Sequence, residues 1–326
     1  MRPAVSVILL TTLIGAGQGL FLALFTVQSY ALVGLLAPQA GSAFYAGGSA
    51  VALALLGAGL VASFFHLGRP ERAWRSAARW RTSWLSREVL ALPAFMLVVA
   101  MYGLMHALGW SPALATGTRG TPIDATLAVG ALGSVLAFAL FVCTAMIYAC
   151  IRFLAEWHTP LTVVNYVLLG GASGFTLATA LASLTAPGLV GFLSGWAVLL
   201  TVLAAIGRAA SLWRNARLKP KSTLQSAIGI KHPVIVQKSQ GFMGGSFNTH
   251  EFFHGAGRTW LRGVRQAFVL LAFVAPVLLL VAGREPASEP LLLAAFVVQY
   301  IGLLAERWFF FAQANHAQNL YYQAVS

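Results

Sequence analysis

The chain is 326 residues long, 59% hydrophobic and 9% charged, with 21 Lys and Arg against 8 Asp and Glu for a net charge of +13. A soluble domain carries about 25% charged residues and a disordered chain is poor in apolar ones, so both classes are excluded. What remains is an all-α polytopic integral membrane protein, an eight-helix transmembrane bundle making a single membrane domain over 1–326.

A bilayer span takes about 20 mostly apolar residues. In chain order the apolar runs predict spans over 5–32, 43–65, 87–108, 125–152, 161–185, 188–211, 264–283 and 290–312. Arg2 precedes the first, but that run is longer than the roughly 7–15 residues of a signal-peptide core, so it is read as an uncleaved helix. Inside it, Gln18 lies in Gly15-Ala16-Gly17-Gln18-Gly19. Small residues suit close helix packing; the amide either bonds across that interface or lines a ligand pocket. Cys143 and Cys150 share the fourth run, about 10.5 Å apart along a helix, too far for a disulfide, and read as small hydrophobes.

The loop after the second span is the most informative stretch. It reads His66-Leu67-Gly68-Arg69-Pro70, then Glu71-Arg72-Ala73-Trp74-Arg75, then Trp80-Arg81-Thr82-Ser83-Trp84-Leu85-Ser86-Arg87-Glu88. A positive-inside loop with aromatic anchors accounts for the arginines and tryptophans. It accounts less well for a titratable His and a carboxylate at the hydrocarbon edge, where ionisable groups are costly and mark function. His66 and Glu88 together have the chemistry to exchange protons with a quinone headgroup, with Arg69 and Arg81 as supporting residues.

Between spans six and seven, 212–263 forms a basic, Gly-rich loop segment with the aromatics Phe242, Phe247, Phe252 and Phe253, expected to dock a partner. Its His250-Glu251-Phe252-Phe253-His254 matches the H-E-x-x-H zinc pattern, but Gly255 and Gly257 shorten any helix there, and a third ligand is not evident. Paired His for haem are not set up mid-span, although His66, His158 and His316 fall on one side. No haem or metal is expected in this chain. Assigning Lys and Arg to alternate sides gives 19 to 2, Arg119 and Arg284 being the minority. Such an excess faces the cytoplasm, which puts both termini there and reads the charge as topology, with no nucleic-acid partner. A transporter, the rival class, should carry ionisable groups near mid-membrane, and none is placed there.

His66-Leu67-Gly68-Arg69-Pro70 with Ser83-Trp84-Leu85-Ser86-Arg87-Glu88 resembles the membrane-anchor subunits of the dimethyl sulfoxide reductase type, the DmsC family. Met146-Ile147-Tyr148-Ala149-Cys150-Ile151 and Glu156-Trp157-His158-Thr159-Pro160-Leu161-Thr162 fit the same group. The Gln237–Gly255 insert and the tail Glu306-Arg307-Trp308-Phe309-Phe310-Phe311-Ala312-Gln313 look most like the anchor of cytoplasmic sulfite dehydrogenases (SoeC type). The resemblance implies a complex in the cytoplasmic membrane of a bacterium. A catalytic subunit would carry molybdenum on a pterin cofactor, a second subunit [4Fe–4S] clusters, and the anchor a site for ubiquinone or menaquinone among membrane lipid. It implies quinone roles for a His and a Glu that match His66 and Glu88. Electrons would pass from the iron–sulfur subunit to quinone, in sulfite oxidation, or from quinol in a dimethyl sulfoxide-type reductase.

Overall fold

The computed structural model describes residues 3–37, 41–116, 122–219, 223–236, 257–284 and 288–314. Among them are eight helices long and apolar enough to cross a bilayer. They are α1 (Val5–Leu32), α2 (Ser42–Phe64), α3 (Trp84–Ala107), α4 (Ala125–Ala149), α5 (Pro160–Thr185), α6 (Val190–Asn215), a seventh span made of α8 (Arg258–Val269) and α9 (Ala275–Ala282), and α10 (Glu289–Ala312). The short α7 (Leu224–Ile228) lies between α6 and α8.

Local chemistry sets the helix ends. Ser83 caps α3 by accepting from the Ser86 N–H, so the third span begins three residues earlier than its apolar run. Asp124 caps α4 through the Leu127 N–H, and Thr159 caps α5 with Pro160 at the first helical position, where a missing N–H costs nothing. A 3₁₀ segment, Pro70–Arg79, carries the arginines of the loop between α2 and α3. On the other face Gly109 turns the chain with φ +63 into a two-stranded hairpin, Ala113–Thr116 against Pro122–Asp124, which the sequence pattern does not announce.

The bundle is built around α5 and α1. Over the 18-residue apolar stretch of each span, about 72% of α5 and 67% of α1 is buried inside the protein, against 28–39% in the other spans. They touch through glycines: a Cβ on Gly19 would strike the Gly170 carbonyl, and one on Gly174 the backbone at Gly19 and Leu20. Backbones that approach this closely gain the dispersion contacts that join helices where lipid removes the hydrophobic drive. The outer helices leave Leu97, Val135, Leu203, Leu278 and Leu293 exposed, as spans facing acyl chains do. Between α8 and α9, Leu270–Val274 widens into one π turn, and Gly302 of α10 abuts it, since a Cβ there would meet Leu271 and Ala272 backbone.

Several charges that the sequence assigns to the flanks are inside the helices. Arg208 of α6 and Arg307 of α10 both pair with Glu306, and all three are buried.

Candidate functional site

The loop from Phe65 to Ser83 is held by Arg87. Its Nε donates to the Trp80 carbonyl (2.9 Å) and its Nη2 to the Arg81 carbonyl (2.8 Å), while the guanidinium lies 4.2 Å over the Trp84 ring. This brace explains why the Trp80–Arg87 stretch folds back onto the start of α3. Arg81 stacks over Trp80 at 5.4 Å and Arg75 over Trp74 at 5.5 Å, so the loop displays paired cation and ring surfaces at its exposed edge. Arg69 is exposed at the head of the 3₁₀ segment.

One residue beyond Arg87, a step of about 100° around the helix, Glu88 turns inward and is 6% exposed. Its Oε1 accepts a 2.6 Å hydrogen bond from the Thr144 hydroxyl of α4. His66 stands two residues past the end of α2, exposed, and partial burial lowers its ring below the ordinary 6.5. Among the described residues no hydrogen bond or ion pair joins His66 to Glu88, nor Arg69 or Arg81 to Glu88. The two lead residues therefore flank the loop at different depths: the imidazole past the end of α2 at the loop surface, the carboxyl inside at the start of α3. His158 is engaged elsewhere, with Nδ1 2.6 Å from the Ala149 carbonyl. His250, His254 and the segment Gln237–Gly255 with its four phenylalanines lie outside the described residues, as does His316.

Gln18 is 1% exposed and donates to the Ala137 carbonyl of α4 at 2.7 Å. It thus bonds across a helix interface, and it also lines a small cavity of about 20 Å³ with Thr11, Thr144, Ser173, Tyr166 and Arg307.

Sequence reasoning missed the cluster beside that cavity. Arg208 Nε is 2.6 Å from Glu306 Oε1 and Arg307 Nε 3.3 Å from Glu306 Oε2, but neither contact has hydrogen-bond alignment, so both are held by charge. The Arg307 guanidinium covers the Tyr166 ring at 4.0 Å. The available signal was Glu306-Arg307 inside an apolar run of a protein with few acids.

A family model described as "DMSO reductase anchor subunit (DmsC)" matches residues 2–322. The chain is 56% identical, over the full length of both proteins, to the C subunit of sulfite dehydrogenase from Allochromatium vinosum. Over 62 residues, 19% of this chain and 22% of the other, it is 44% identical to the C component of the anaerobic dimethyl sulfoxide reductase of Haemophilus influenzae.

Proposed function

The chain belongs to the dimethyl sulfoxide reductase anchor subunit family, and from that premise we propose that it anchors a sulfite-oxidising complex and passes its electrons to quinone at the α2–α3 loop. It is a multi-pass membrane subunit of a molybdoenzyme complex. The sulfite branch follows from likeness over the whole chain, where the reductase likeness covers 19% of it. The partners would be the catalytic subunit with the molybdenum pterin and an iron–sulfur subunit, on the cytoplasmic face of a bacterial cytoplasmic membrane. Ubiquinone or menaquinone is the substrate here.

The observation that carries the quinone assignment is Glu88, a carboxyl buried just inside the membrane edge with one hydrogen bond to Thr144. Sulfite, water and quinone give sulfate and quinol, so two electrons and two protons reach the quinone ring. Electrons arrive from the iron–sulfur partner; protons need titratable groups at the headgroup. The His66 ring donates an N–H to a quinone carbonyl; as the oxygen becomes negative that proton passes to it, and the other ring nitrogen takes up a replacement, so that no imidazolate forms. Glu88, behind it, takes up and releases the replacement proton. Arg69 and Arg81 supply positive potential at the loop edge for the developing anion, and Gln18 fixes the α1–α4 contact beneath.

Replacing His66 by Ala or Glu88 by Gln should lower quinone reduction on the order of 100-fold, the weight of a positioned proton donor. Sulfite oxidation with a soluble artificial acceptor should stay at the parent rate, and the partner subunits should still co-purify. Equal loss of both activities would make these residues structural. Undiminished quinone reduction in both variants would move the site away from this loop. A protein purified without iron–sulfur and molybdenum subunits would sink the anchor reading as a whole.

A further inference from the structure

Among the described residues, four acidic or basic side chains are more than nine-tenths buried: Glu88 at 6% exposure, Arg208 at 2%, Glu306 at 1% and Arg307 at 4%. Glu306 sits between the two arginines, so that cluster carries one positive charge beyond balance. An uncompensated charge away from water is strongly unfavourable, and Glu88 is the buried carboxyl outside the cluster.

The two are joined by geometry. Thr144, whose hydroxyl bonds Glu88 at 2.6 Å, shares the wall of the roughly 20 Å³ cavity with Tyr166 and Arg307. A volume above about 10–15 Å³ takes one water when polar groups surround it. Here Thr144, Tyr166, Ser173 and Arg307 surround it, and the Tyr166 hydroxyl has no well-aligned protein hydrogen bond. Tyr148 and Tyr166 lie within electrostatic reach of both Glu88 and Arg307. Cys143 lies within electrostatic reach of both Glu88 and Arg87.

We propose that the Arg208–Glu306–Arg307 cluster is the internal counter-charge of Glu88, joined to it through Thr144 and a water held among Thr144, Tyr166 and Arg307. When Glu88 releases its proton, the spare positive charge of the cluster balances the new carboxylate, and the bundle interior returns to neutrality. When Glu88 regains the proton, the water and the Tyr166 hydroxyl reorient toward the cluster. Arg307 is thus a positioning residue acting through Glu88. The bearing on proton supply to quinone rests on the reading above; the charge pairing does not.

The test is infrared difference spectroscopy of the intact complex in nanodiscs, with the Glu88 carboxyl band assigned by its loss in Glu88→Gln and followed from about pH 5 to 9. In Arg307→Gln the ratio of protonated to ionised Glu88 at a given pH should rise a few-fold, the direction that removal of an opposite charge gives. Arg307→Lys should follow the parent. Tyr166→Phe, which keeps the fold's ring but removes the hydroxyl from the cavity, should move the titration the same way by a smaller amount, and it serves where Arg307→Gln does not accumulate. A titration unchanged in Arg307→Gln, or in Tyr166→Phe when that alone accumulates, overturns the proposal. Should Glu88→Gln retain quinone reduction, the quinone role of Glu88 falls while the band shift still decides the pairing.

Discussion

Asp124 shows how one side chain fixes a helix entrance on the face opposite the His66 loop. Its carboxylate accepts from Ser111 Oγ (2.6 Å), Thr126 Oγ1 (2.7 Å) and the Leu127 N–H (2.9 Å). Beyond Thr126 the run of bonds continues through Gln28 to the Tyr102 hydroxyl. Partial burial pushes the acid up, but the three hydrogen bonds and the nearby His106 outweigh it and hold the group below its ordinary 3.8. A carboxyl depressed in the folded state stabilises above its unfolded pKa, and that contribution is lost as pH falls through the folded one. Asp124→Ala should therefore cost about 0.5–2 kcal/mol at pH 7, a difference from the parent that shrinks below about pH 4, measured as thermal unfolding in detergent across pH. A cost that stays constant down to pH 3 would separate the cap from its charge. Gln18 and Glu88 could be singled out from sequence because a polar residue in an apolar run stands out. The partners Thr144, Ala137 and Asp124's network could not, since which faces meet is decided by packing alone.

At the scale of elements, apolar run length is enough to find the spans. Most of the described helices begin and end within a few residues of the runs; the seventh span starts six residues early, at Arg258, and two other departures have local causes. Ser83 caps α3 early, and α6 continues to Asn215 because its last turn is tied down. There Arg214 donates to the Ala155 carbonyl and Asn215 to the Glu156 carbonyl, giving residues 212–215 a helical role that the sequence places in a loop. The glycines of α1 were legible as a packing stripe, but not their partners: Gly15 and Gly19 meet Gly170 of α5, while Gly17 meets Ala52 and Leu56 of α2. Gly19→Leu or Gly174→Leu has no room between the two backbones. Either change should lower the melting temperature of the purified complex and the yield of assembled protein, whereas Gly47→Leu, which meets nothing within 4 Å, should leave both unchanged. Equal behaviour of all three would show that the α1–α5 crossing is softer than its geometry.

For the whole molecule, charge makes a prediction about orientation. Arg208 and Arg307 leave the tally of loop charges because they are buried, yet the imbalance stays 17 to 2. Reporter fusions after residues 80, 235 and 326 should read cytoplasmic, and those after 118 and 286 external. The opposite pattern would put the basic loops, and any partner docked on them, outside. The same basic face would serve both topology and docking, since loop cations retained inside also attract an acidic partner surface.

The pairing of α6 with α10 has a consequence for synthesis. Arg208 leaves the ribosome roughly a hundred residues before Glu306, which at about 5–20 residues per second is on the order of 5 to 20 seconds. For that interval the sixth helix holds a guanidinium within the bilayer's reach with no acidic partner, and the nascent bundle has an open seam along α5 where the last helix will lie. The final span is thus more than one more crossing: its arrival neutralises a charge already committed to the membrane, and a polypeptide truncated before residue 289 would present quality-control proteases with an unmatched arginine as its mark of incompleteness.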